Sequence, residues 1–123
     1  MSTERLGSTA QAMVADGKGI LAADESTPTI TRRFEKFGIE STEDNRRAYR
    51  ETLFTTPGLG EFISGAILFD ETIRQDASDG TPLRAALTRQ GIMPGIKVDA
   101  GAKPLAGAPE ETVTEGLDGL RGR

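Results

Sequence analysis

Three short apolar runs, Ile20–Ala23, Ile63–Phe69 and Ile92–Val98, each close on carboxylates: Asp24 and Glu25, Asp70 and Glu71, and Asp99. None shows the strict apolar–polar alternation of a strand with one wet face. Ile20–Ala23 reads as a strand buried on both faces, the pattern of a parallel sheet, and the other two read as further strands. Helix-like stretches lie between them. Ile30, Phe34 and Phe37 mark one, with Arg32, Arg33, Glu35 and Lys36 on its wet side and Gly38 past its end. Thr42 is placed as the N-cap of another, with Glu43 and Asp44 in its first turn and Phe54 towards its end. A third runs from Pro82 to Gln90, and a surface helix with Ser8 or Thr9 in its first turn covers residues 4–15. Strands alternating with helices give an α/β chain with a parallel sheet.

Three strands make an incomplete sheet. They fit about a third of a (β/α)8 barrel, which takes roughly 250 residues. The 123 residues therefore read as one incomplete domain, 1–123, that stops as a new unit begins near Leu117 and Leu120. Thr55 to Gly60 reads as a loop, and Thr112 to Thr114 as an edge element within a Gly- and Pro-rich tail.

Composition narrows the chemistry. There is no His and no Cys, so the commonest general base, thiolate metal sites and disulfides are all excluded. A net charge of −4 argues against a nucleic-acid partner. No segment approaches the ~18 apolar residues of a membrane span. The first residues, Met1 to Arg5, lack a leader's apolar stretch, so a cytoplasmic protein is expected. Gly17 and Gly19 do not form a dinucleotide-binding fingerprint, because no such glycine triplet follows a strand.

Catalytic groups gather at the C-terminal ends of parallel strands. Asp24 directly ends the first strand, where it can act as an acid or base or hold a lysine's charge. Lys97 lies between Ile96 and Val98, inside the third strand. From position alone it is a candidate for imine formation, for binding a substrate phosphate or hydroxyl, or for snorkelling from an edge. Ser26, Thr29 and Arg33, with Thr27 and Arg32, sit at or just inside a helix N-terminus and together suit an anion. Arg46, Arg47 and Arg50 read as a solvated helix face paired with Glu43 and Asp44.

Linked motifs sharpen this. Residues 17–26, Gly-Lys-Gly-Ile-Leu-Ala-Ala-Asp-Glu-Ser, are followed by Asn45-Arg46-Arg47 with Tyr49-Arg50, and by Gly65-Ala66-Ile67-Leu68-Phe69 with Glu71-Thr72. Then come Gly95-Ile96-Lys97-Val98-Asp99, Pro104 to Gly107 and Thr114 to Leu120. In this order and spacing the chain resembles the N-terminal part of class I fructose-1,6-bisphosphate aldolase. The resemblance implies a (β/α)8 barrel, of which these are about the first three β/α units. It implies reversible cleavage of fructose 1,6-bisphosphate to dihydroxyacetone phosphate and glyceraldehyde 3-phosphate through a lysine Schiff base. No metal or other cofactor is implied, and the full-length family is usually homo-oligomeric. Asp24 matches the family's active-site aspartate. Lys97 matches a substrate-binding lysine rather than the covalent one. Ser26, Thr29 (serine in many members) and Arg33 match positions near a substrate phosphate, and Arg46 an arginine linked to substrate binding. Asp70 stands where animal enzymes carry histidine. The Schiff-base lysine, a second active-site lysine and the acid/base glutamate belong to later strands, so the 123 residues alone are expected to be inactive. The alternative is a non-catalytic fragment that binds sugar phosphate or associates with a full-length aldolase subunit.

Overall fold

The computed structural model describes residues 2–123, and its sheet follows from where the aliphatic runs fall. Helix α1 (Thr3–Met13) leads into strand β1 (Gly19–Ala23), then helices α2 (Thr27–Glu35), α3 (Glu43–Phe54) and the one-turn α4 (Leu59–Phe62). Strand β2 (Ile63–Leu68) feeds a second short turn, α5 (Asp70–Ile73), then α6 (Leu83–Arg89) and strand β3 (Met93–Ile96). A hairpin of β4 (Ala102–Leu105) and β5 (Ala108–Thr114) follows, with a closing 3-10 turn over Leu120–Gly122.

The three main strands lie in the order β1-β2-β3, all parallel, with Leu21 opposite Ala66 and Ala66 opposite Pro94. Each crossover is helical, as parallel pairing demands. All three strands therefore release their chains at the same end of the sheet. The core fills one face: Phe54 of α3 and Leu83 and Leu87 of α6 pack on Ala23, Ala66 and Leu68, with Ile92 closing the edge. Ser64 Oγ ties α1 to the opposite end of the sheet by donating to Met13 O at 2.6 Å. No helix among the described residues is long and apolar enough to cross a membrane.

The structure corrects several expectations. β1 is not buried on both faces. Leu21 and Ala23 turn to the core, while Ile20 is 51% exposed and Ala22 is exposed; on that second face Met13 of α1 reaches over Gly65 of β2 and leaves these two side chains of β1 open. The first helix is capped by Ser2, whose Oγ accepts from Arg5 N; Ser8 lies a turn further in and bonds to Arg5 O. The expected loop over residues 55–60 already starts α4 at Leu59. Phe69 caps α5 instead of ending β2, so Asp70 and Glu71 stand in that turn's first residues. β3 stops at Ile96, and Lys97 lies one residue beyond it, still held by its N–H to Leu68 O at 2.8 Å. Thr112 to Thr114 do form an edge element, as the end of β5.

Candidate active site

Parallel pairing brings the end of β1 and the end of β3 over the end of β2, so residues 73 apart in sequence meet. Lys97 Nζ stands 3.3 Å from Asp24 Oδ2 and closer still to Asp99 Oδ1. The Lys97 side chain is about three-quarters covered. Its hydrogen bond to Asp99, opposed by burial and helped by Asp24, raises its pKa above the ordinary 10.5. The same bond holds the Asp99 carboxyl below its usual range. A lysine held this firmly as a cation is a poor nucleophile, since imine formation needs the free amine. Of the three roles open to Lys97 on position alone, the geometry favours a fixed positive charge.

Lys97 and Asp99 border a cleft of about 380 Å³, shared with Ser26, Phe69, Asp70, Ala100, Gly101 and Arg123. Ser26 occupies the N-cap of α2, yet its hydroxyl makes no capping bond. It meets Thr29 Oγ1 at 3.2 Å instead. In the first turn of this nine-residue helix Thr29 N donates to Ser26 O at 2.9 Å and Pro28 has no N–H, so the Thr27 N–H and the two hydroxyls are what it offers an anion.

Arg33 and Arg46 do not line this cleft. The Arg33 guanidinium is more than half exposed and pairs with Glu25. Arg46 is committed elsewhere, gripping Glu71 with two bonds of 2.7 and 2.8 Å and donating to Ser41 O. That grip raises Arg46 and lowers Glu71 in pKa, the hydrogen bond between them being the main cause for both. The expected solvated arginine face is therefore corrected. Arg47 pairs with Asp44 and Glu51, Arg46 faces α5, and Arg50 is buried.

Arg50 escaped the sequence reading, which took charge for exposure. Its guanidinium donates to Ala23 O at 3.2 Å, Glu25 O at 2.9 Å and Glu25 Oε2 at 3.1 Å. A usable signal was present: Arg50 precedes the buried Phe54 by four residues, which puts it on the inward stripe of α3. Among the described residues, no group of three or more His, Cys, Asp or Glu side chains is arranged to hold a metal ion.

The geometry invites comparison with known proteins. The family model for fructose-bisphosphate aldolase class-I matches residues 5–123. The chain belongs to the class-I fructose-bisphosphate aldolase family. A probable class 1 fructose-bisphosphate aldolase of Xanthomonas axonopodis pv. citri is 68% identical over 123 residues, covering all of this chain and 37% of the relative. The fructose-bisphosphate aldolase of Drosophila melanogaster is 56% identical over 121 residues, covering 98% of this chain and 34% of its own length. A Plasmodium falciparum aldolase, solved in complex with TRAP and a small-molecule inhibitor, superposes with a TM-score of 0.91 at 53% identity. That match covers 98% of this chain and 35% of the other. The chain thus spans about a third of the length of its aldolase relatives, and its three β/α units are part of the family's barrel.

Proposed function

We propose that this chain carries the Asp24–Lys97 side of a class-I aldolase active site, which cleaves fructose 1,6-bisphosphate reversibly into dihydroxyacetone phosphate and glyceraldehyde 3-phosphate. The observation that carries the reading is the Lys97 ammonium, held between Asp24 and Asp99 at the mouth of a parallel sheet that belongs to this family. Lys97 serves as a fixed cation for a substrate phosphate or hydroxyl, and Asp24 handles protons beside it. Ser26 and Thr29 present a helix N-terminus to a phosphate, and Arg33, more than half exposed in its pair with Glu25, exchanges that carboxylate for the same anion. Arg46 supports the site by fixing Glu71 in place. The covalent lysine of the family matches no residue of this chain, so the 123 residues alone bind without turnover. Cytoplasmic work on sugar phosphates, as a homo-oligomer and without nucleic acid, completes the reading.

The test joins residues 1–123 to the remaining part of the Xanthomonas relative and follows fructose 1,6-bisphosphate cleavage. A hybrid as active as that relative is expected, and a folded hybrid without turnover refutes the reading. Borohydride trapping with dihydroxyacetone phosphate should label a lysine outside residues 1–123. A label on Lys97 would overturn its assignment as a non-covalent cation.

A further inference from the structure

The end of β1 is held by a side chain from a distant helix. Arg50 is 1% exposed, and its donors reach the peptide carbonyls of Ala23 and Glu25, the residues on either side of Asp24, as well as the Glu25 carboxylate. Tyr49, edge-on to Phe34, places its ring 5.7 Å from the guanidinium carbon. Burial pushes Arg50 down in pKa, against the Coulombic support of Glu25. An apolar pair in place of both Arg50 and Glu25 commonly gives equal or greater stability. What it cannot do is bond to the chain on both sides of one carboxylate.

We propose that Arg50 is a positioning residue for Asp24: by gripping the carbonyls that flank it, the buried guanidinium fixes where the Asp24 carboxylate stands and hence its distance to Lys97. The inference rests on the aldolase reading for its kinetic consequence, but not for its geometric one. Reacting groups misplaced by ~1 Å lose ~10²-fold in rate. Lysine at position 50 keeps the charge but presents one ammonium where the guanidinium fork serves three oxygens.

The experiment makes Arg50→Lys in the aldolase-length hybrid and measures kcat, KM and Tm for fructose 1,6-bisphosphate cleavage, beside the structure of the variant. A fall in kcat of about 10- to 100-fold is expected, with KM within about threefold, because the loss concerns a group acting in the reaction rather than in uniform binding. In the variant structure Asp24 Oδ2 should move away from Lys97 Nζ. Phe54→Leu, a core change that also lowers Tm, should leave kcat unchanged and so separates positioning from plain stability. Arg50→Lys with unchanged kcat, or with the Asp24–Lys97 distance still at 3.3 Å, overturns the proposal. An unmutated hybrid without turnover would remove the aldolase reading instead, and the distance alone would then decide on Arg50. Should Arg50→Lys fail to fold, Glu25→Gln removes the anion that seats the guanidinium. It should lower kcat about three- to tenfold, and no change would count against the proposal.

Discussion

Gly60, in the turn of α4, tests how tightly the first and second β/α units are fitted. A Cβ built there stands 2.0 Å from Gln90 O, 3.0 Å from Gln90 C and 3.3 Å from Gln90 Cβ. Ordinary contact begins near 3.4 Å, so the carbonyl oxygen must retreat by about 1.4 Å (3.4 − 2.0). Gln90 has little freedom to do so. Its N–H is bonded to Leu87 O, its side-chain amide donates to Phe54 O at 2.8 Å, and Gly91 turns the chain immediately after it with φ at 75°. Overpacking against anchored backbone costs about 1–3 kcal/mol, and the three anchors put Gly60→Ala near the top of that range. At about 4 °C per kcal/mol for a domain of this size, Tm should fall by about 10 °C. Gly19→Ala is the matched control: nothing lies within 4 Å of its Cβ, and it should stay within about 0.5 kcal/mol of the parent. Thermal unfolding followed by circular dichroism reads both. Equal Tm values for the two variants would refute the claim that the Gly60–Gln90 approach is fixed.

Three other outcomes are expected. Phe54→Ala, which empties a fully buried site in the core, should cost about 3–5 kcal/mol in a urea titration. Lys97→Met should weaken phosphate-ester binding by at least tenfold in calorimetry, since it removes the cation and leaves Asp24 and Asp99 facing each other without a counter-ion. Stability should be flat above about pH 5 and fall as the pH drops further. The native state lowers the carboxyl pKa of Glu51 to about 2, chiefly through hydrogen bonds from Ser78, and also lowers Glu71 through Arg46 and Asp99 through Lys97. Depressed carboxyls bind protons more readily in the unfolded chain, so their contribution disappears as the pH falls from their ordinary values, 4.5 for Glu and 3.8 for Asp, towards the folded ones. Urea midpoints between pH 7 and 2.5 check this, and Glu51→Gln should flatten the acid slope.

The strands were legible because their aliphatic runs leave no other way to bury them. Thr42 was legible because its hydroxyl accepts from Asn45 N at 3.1 Å in the way its position promised. The β4–β5 hairpin was not, since its residues are almost all exposed and carry no burial period; a turn at Gly107 with φ at 82° makes it. Asp24 could be found because it ends an apolar run, and Lys97 because its charge interrupts one; that the two meet follows from strand ends in one parallel sheet sharing one side. Arg33 with Glu25, and Arg46 with Glu71, could not be paired from the sequence, because contacts between elements follow no local spacing. Arg50 was misplaced by its charge, although its spacing to Phe54 put it inside.

The Asp24–Lys97 pair closes across 73 residues, while Gly19 finds Ile63 and Gly65 finds Met93 over much shorter stretches. During synthesis at ~5–20 residues per second, Asp24 leaves the ribosome several seconds before its lysine. Until β2 arrives β1 has no strand partner, and Ile20 on its open face stays 51% exposed even in the finished sheet. The contact that gives the site its charge therefore also records, in a nascent chain, that the third β/α unit has arrived and docked.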